Sequence, residues 1–399
     1  MTLRSIGELT EKITTWNPAR SLSTDEFTYI DLGSVDQSIK QIVAPPQISP
    51  RDAPSRARQL VRSGDVLVST VRPNLNGVAI VKSDFDGATA STGFTVLRTT
   101  EELEPAYLFH WVRSPAFISE MVRQATGQSY PAISDRIIKE SLIPTPSRAE
   151  QLRISRLLDH VESLRSKRRE ALTLLDDLAQ SIFLDMFGNP RENPNGWPTD
   201  SLANLADSAD RINYGVVQPG DEHPGGVPLV RVGDLSGGCV DRSAIKRIDP
   251  QIEAKYSRSR LKGNEILVGC VGSVGSVSLV GESDVGSNIA RAVARIPISA
   301  VPLRGYLAEH LRTKSIQQYF NGELRTVAQP TLNIKQLSET VVMVPPVEMQ
   351  LEFGDRIASI GRQKRRLVTH LSLLDTLFAS FQYCAFHGEL WGNGDVIAA

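Results

Sequence analysis

The sequence predicts an α+β protein: a tandem duplication of a mixed α/β domain plus a long helix, with the two helices forming an antiparallel coiled coil of pseudo-twofold symmetry. Three observations predict it. The 399-residue chain repeats itself at half its length. Each copy closes on about forty residues whose apolar side chains recur at steps of three and four. Proline pairs, at Pro144-Thr145-Pro146 and Pro345-Pro346, separate domain from helix in both copies.

The repeat comes first. Tyr29-Ile30-Asp31-Leu32-Gly33 resembles Leu229-Val230-Arg231-Val232-Gly233, and the run from Val61 to Val68 resembles that from Leu261 to Val268, both at an offset of 200. Beyond these the offset is 199: Val78 to Val81 with Val277 to Val280, Pro131 with Pro330, Gln151 with Gln350, Leu174-Leu175-Asp176 with Leu373-Leu374-Asp375, and Phe187 with Phe386. One deletion near residues 72–76 accounts for the change. Register held over about 160 residues marks a duplicated unit.

Within each domain, Val66 to Val71 and Ile266 to Val271 are short β-rich runs, with partner strands at Gly77 to Val81 and Ser276 to Val280. Tyr107 to Arg123 and Leu303 to Phe320 read as amphipathic helices. The first long helix opens on the capping pattern Ser147-Arg148-Ala149-Glu150. Its seam is Ile154, Leu157, Val161, Leu164, Ala171, Leu175, Leu178 and Ile182, interrupted at Arg168, and Gly188 with Pro190 ends it. The second repeats the design with Phe353, Ile357, Ile360, Leu367, Leu371, Leu374, Phe378 and Phe381, closing at Gly388. The expected bounds are a first domain over 1–146, a helix over 147–188, a second domain over 189–345, a helix over 346–390 and a tail over 391–399. Helices of this length reach roughly 60 Å, and the simplest cover for each narrow seam is the other copy. The triplets Lys167-Arg168-Arg169 and Lys364-Arg365-Arg366 read as solvated or acid-paired faces, with Asp159, Glu162 and Glu170 in reach of the first.

Composition bounds the function. Hydrophobic content of 41% and charged content of 22% fit a globular protein. No apolar run is long enough for a membrane span, and the N-terminus lacks a signal-peptide pattern. Three scattered cysteines fit a reducing cytoplasm. The six histidines show no metal-ligand spacing. Neither Asn189-Pro190 nor Asn193-Pro194 continues as a base-flipping methyltransferase motif, and no phosphate-cradling loop occurs; Gly269 to Gly275 reads as a turn between strands. A net charge of −1 counts against a stand-alone nucleic-acid binder. A DNA reader with this balance concentrates its basic residues or borrows affinity from partners.

The geometry nevertheless points to DNA. Antiparallel helices place the two domains at opposite ends of a rod, and twofold readers bind half-sites about 34–36 Å per turn apart. Because the domains differ in sequence, the expected target is an asymmetric, bipartite site with an unread spacer. A fused methyltransferase or nuclease, and a scaffold spacing two protein-binding domains, are the alternatives.

Four segments then carry a family resemblance. Phe187-Gly188-Asn189-Pro190 with Asn193-Pro194-Asn195-Gly196-Trp197-Pro198 resembles a helix-to-domain junction. Tyr214 to Gly220 followed by Gly226 to Leu235 resembles the start of a target-recognition domain, and Gln329-Pro330-Thr331-Leu332-Asn333 with Val344-Pro345-Pro346 and Gln350 its end. Ala385-Phe386-His387-Gly388-Glu389-Leu390 resembles the close of the second helix. Together, and in this order, they resemble the specificity subunit of type I restriction–modification systems over nearly the whole chain. The resemblance implies two target-recognition domains and recognition of double-stranded DNA. It implies assembly with modification subunits, expected to be two, and with restriction subunits. S-adenosylmethionine, ATP and magnesium are then expected in those partner subunits, with no cofactor and no catalytic residue in this chain. The segment from Gly127 to Ser134 in the first domain matches the pattern only loosely.

Candidate DNA contacts follow from residue type, since Arg, Lys, Asn and Gln favour base edges and Arg, Lys and hydroxyls favour phosphates. In the first domain Arg51, Arg56, Arg58, Arg62 and Arg72 cluster, with Asn74 and Asn76 in the variable turn and Gln128, Ser129 and Tyr130 at a loop tip. In the second the set is Lys255, Arg258, Arg260 and Lys262, then Tyr214, Gln218 and Arg231, then Gln329, Thr331, Asn333 and Lys335. For any one residue, ordinary surface charge is the plainer reading; as groups, the loops point to DNA.

Overall fold

The structure is a computed structural model that describes residues 2–20, 25–127, 130–323 and 331–390. It divides into two compact units, one of Met1–Arg169 with Thr369–Ala399, the other of Glu170–Val368. The division cuts through both long helices rather than at the proline breaks.

In the first unit two four-stranded sheets carry the domain. One orders the strands Gln47–Ile48, Phe27–Ile30, Thr89–Ser91 and Ala57–Leu60; the other orders Thr10–Glu11, Phe94–Thr99, Val66–Ser69 and Val78–Ile80. Val66 to Ser69 is buried throughout, as its unbroken apolar run requires. In the second unit the strands Asn213–Tyr214, Val293–Pro297, Glu265–Gly269 and Val277–Leu279 form one sheet, and Lys246–Ile248, Val227–Val230 and Asn288–Ile289 another. The duplication extends to register. Val68 pairs with Val78 as Val268 pairs with Val277, and Tyr29 runs parallel to Thr89 as Leu229 does to Asn288.

Each long helix starts where the sequence signals it. The first spans Arg148–Phe187, its N-terminus capped by Ser147 Oγ, which accepts from the Glu150 amide at 3.3 Å. The second spans Val347–His387. Both carry a buried glutamine in the first turn. The Gln151 amide donates to the Pro146 carbonyl at 3.0 Å and that of Gln350 to the Pro345 carbonyl at 2.8 Å, so each proline break is tied to its helix. Gly188 and Gly388 end the helices with φ of +80° and +76°, a conformation costly for any residue with a Cβ.

In both units the helices run antiparallel. In the first, Arg165 meets Asp375 at 2.6 Å, while further toward the start of the first helix Asp159 contacts His110 and Gln382, further along the second, donates to the His110 carbonyl. In the second, Asp176 pairs with Lys364 and, further on, Phe187 packs on Phe353 with ring centroids 5.3 Å apart. Arg169 meets Glu162 at 3.4 Å, so acid pairing holds for at least one member of each basic triplet.

The seam departs from even spacing. Ile154, Val161, Phe353, Ile360 and Phe378 are buried, but Leu178 is exposed, and Leu158, Phe183 and Phe187 are buried in its place. The reason is that the helix ends do more than pair with each other. Phe386 of the second helix packs on Tyr107 and Trp111 of the first domain at 5.3 and 5.0 Å. In the second unit Phe183 and Phe187 of the first helix pack on Tyr306 at 5.5 and 5.0 Å. Each domain's core is therefore completed by the helix that follows the other domain.

Candidate nucleic-acid interface

In each domain one exposed edge is built from two loops. In the first, the turn after Val66–Ser69 meets the segment before the helix Asp135–Glu140: the Ile133 amide donates to the Thr70 carbonyl at 2.8 Å, the Arg72 amide to the Pro131 carbonyl at 2.7 Å, and Val71 bridges Ala132. In the second, the Leu332 amide donates to the Cys270 carbonyl at 2.9 Å and Val271 bridges Thr331. The expected deletion lies in this turn. Arg72 and Asn76, with φ of +49° and +47°, flank Pro73–Leu75; in the second domain Gly272 and Gly275, with φ of +81° and +84°, bracket a turn one residue shorter.

On the first edge the structure brings Arg72 and Tyr130 together, with Asn74 in the same turn as Arg72. Arg72 and Asn74 are exposed, Tyr130 is 69% exposed, and the Arg72 guanidinium lies 4.6 Å from the centre of the Tyr130 ring. Gln128, Ser129 and Gln329 lie outside the described residues. Arg58 is half-buried and donates to the carbonyl of Ala57.

Asn76 does not face solvent. It is buried, and its amide donates to the Val112 carbonyl at 2.8 Å, closing the end of the helix Pro105–Trp111. In the second domain the same service comes from elsewhere: the Gln317 amide donates to the Leu311 carbonyl at 2.7 Å and to the Gly275 carbonyl at 2.9 Å. A Cβ at Gly275 would fall 2.1 Å from the Gln317 oxygen, so the glycine and the glutamine belong together.

Several second-domain candidates are likewise engaged inside the fold. Tyr214 is half-buried, its hydroxyl donates to the Leu332 carbonyl at 2.9 Å, and burial pushes its pKa up to about 12. Arg231 forks onto Asp234 at 2.9 and 3.1 Å and reaches the Ala244 carbonyl. Arg260 forks onto Glu253 at 2.8 and 2.6 Å, and this hydrogen bonding holds the Glu253 carboxyl below its usual range. Asn333 caps the helix Ile334–Ser338, accepting from the Gln336 amide at 3.0 Å. Gln218, Arg258 and Lys335 are exposed, Lys335 3.9 Å from Glu339, and Thr331 is half-buried beside Val271.

One residue of the first edge was invisible to residue-type reasoning. Lys40, with φ of +56°, sends its ammonium to the Asn76 carbonyl at 2.6 Å, and burial lowers its pKa to about 8. It braces the turn from beneath. The signal available was only the turn-forming Asp36-Gln37-Ser38, whose Asp36 carboxylate accepts from the Ser38 amide at 2.7 Å.

Among the described residues no group of three or more His, Cys, Asp or Glu could hold a metal ion. Burial pushes the Cys270 thiol up to about 12, away from nucleophilic use. No helix among the described residues is long and apolar enough to cross a membrane.

Duplicated domains with loop edges, joined through paired helices, define a modular recognition scaffold. Residues 203–371 match the family described as the type I restriction modification DNA specificity domain. The chain is similar to the type I restriction enzyme EcoBI specificity subunit of Escherichia coli, 29% identical over 310 residues that cover 71% of this chain and 65% of that protein. The aligned part is thus just under two thirds of that relative's length. Among solved structures, a chain from a type I R-M system described for its complex assembly and conformational transition is 26% identical, with a TM-score of 0.53 and 98% of each chain covered. The S subunit of a type I restriction-modification system from M. genitalium shares the fold at 15% identity, with a TM-score of 0.52 and 96% of each chain covered. The second half of the chain thus matches the DNA specificity domain of type I restriction–modification systems, and the chain along nearly its whole length is similar to a protein of such a system.

Proposed function

We propose that this chain selects the DNA sequence on which a type I restriction–modification complex acts, reading an asymmetric, bipartite site with one half-site per domain. The observation that carries this reading is the pair of loop edges at equivalent register, Val71 with Ala132 and Val271 with Thr331, whose exposed side chains differ between the copies. Equal frames with unequal tips suit two readers of different sequence.

The helices supply a docking surface for modification subunits. Leu174 is 60% exposed and Leu373, its counterpart in the repeat, 64%; Leu178 and Leu377 are exposed at the next turn, and Leu184 and Tyr383 beyond. Outward apolar side chains recurring at matched positions of both copies favour two copies of one partner. S-adenosylmethionine, ATP and magnesium belong to those partners and to restriction subunits. The near-neutral charge of −1 fits a reader that borrows phosphate contacts from its complex.

Genome-wide mapping of methylated bases in cells that carry or lack this gene tests the reading. A split motif present only with the gene is expected; methylation unchanged between the two strains would overturn it.

A further inference from the structure

The two edges share a frame but make different use of one left-handed position. The second domain puts Gly272 where the backbone turns left-handed; the first puts Arg72 there, at φ +49°. A residue with a Cβ is disfavoured in this region, and side chains held there concentrate at functional sites. The Arg72 guanidinium lies 4.6 Å from the ring centre of the exposed Tyr130, a contact that restrains it, and Arg72 is itself exposed. Arg231 and Arg260 fork onto Asp234 and Glu253; among the described residues no carboxylate pairs with Arg72. The turn beneath is braced three ways: by Lys40 on the Asn76 carbonyl, by Asn76 on the Val112 carbonyl, and by the Arg72 amide on the Pro131 carbonyl. Such bracing holds a side chain ready for a directional contact, beyond what a loose phosphate contact needs.

We propose that Arg72 is a specificity-determining residue of the first domain, reading a guanine through the major groove by a two-pronged contact to its O6 and N7, with Tyr130 as its positioning residue. The proposal rests on the reading of each domain as a half-site reader. A planar fork of donors matches the two acceptors that guanine alone presents in that groove. The second domain, with Gly272 at this position, makes no such contact there.

The test uses the full chain coexpressed with its modification subunit, with methylated sites mapped across the genome for the wild type, R72G, R72K and Y130A. In R72G and R72K one guanine of one half-site is expected to relax to other bases, with discrimination falling about tenfold to a hundredfold. The other half-site stays unchanged. Y130A relaxes the same position less. R72G also relieves the left-handed backbone, so its thermal midpoint is expected to equal or exceed that of the wild type, which separates lost reading from lost folding. An unchanged motif in R72G would overturn the proposal and leave the two-reader function standing. So would full retention of the motif by R72K, or weaker methylation at all sites without relaxation, since either marks a phosphate contact. Absence of any split motif in the wild type would overturn the underlying function instead.

Discussion

Asn76 and Ile118 are the repeat counterparts, 199 residues earlier, of Gly275 and Gln317, and one hydrogen-bonding task falls to Asn76 in the first copy and to Gln317 in the second. In the first domain the turn supplies the amide that closes the helix, and in the second the following helix supplies it. N76A is expected to lower stability by about 1–3 kcal/mol, the cost of an unpaired buried partner, whereas N76G with I118Q recovers most of that loss; urea denaturation of the three chains checks it. A second outcome concerns His310, buried against Phe183 and Tyr306 and pushed down to about 3 by that burial. The unfolded chain titrates this group near 6.5. Below that pH the unfolded state takes up a proton that the folded state refuses. The contribution is therefore whole above pH 6.5 and is lost as pH falls toward 3, at about 1.4 kcal/mol per pH unit. H310Q should lose about 2 kcal/mol less than the wild type between pH 6.5 and pH 5, measured by urea midpoints. Equal losses would sink the assignment. These residues were only partly legible in the sequence. Arg231 lies three residues before Asp234, so that pair could have been read; Arg260 with Glu253, and Asn76 with Val112, are set by how strands and helices meet.

At the scale of elements, the long helices were legible because caps, breaks and apolar spacing are local signals: Ser147, the proline pairs and Gly188 bound them as read. The strand pairs after Val66 and Ile266 were legible for the same reason. What local pattern could not reveal is the exchange of helix ends, since nothing near Phe386 in the chain indicates that its partners are Tyr107 and Trp111. The exchange has a measurable consequence. F386A should destabilise the first unit by about 3–5 kcal/mol, the usual loss for a buried phenylalanine. Hydrogen exchange should then quicken across 105–112 and stay unchanged across 302–312. F187A should do the reverse. Equal quickening in both units for either variant would show that the two cores are one cooperative body.

For the whole molecule, the proposed function makes helix length a measure of DNA. One turn of helix is about 5.4 Å, between one and two base-pair steps of 3.4 Å. Removing about one turn from each long helix, Glu170–Thr173 and Leu367–His370, should shorten the unread spacer of the methylated motif by one or two base pairs, or abolish methylation; a spacer of unchanged length would refute the ruler. The exchanged helix ends also set a timetable for synthesis. The first domain emerges from the ribosome long before Phe386 exists to seal it. At roughly 5–20 residues per second, the aromatic socket around Tyr107 and Trp111 stands open for about 14–55 s, while the second domain receives its seal, Phe187, before its own sheet is made. The earlier-made head is the later one to mature, so its apolar socket is the one exposed to aggregation during synthesis, and a ribosome that stalls late in the message leaves that head unfinished and the other with its seal in place.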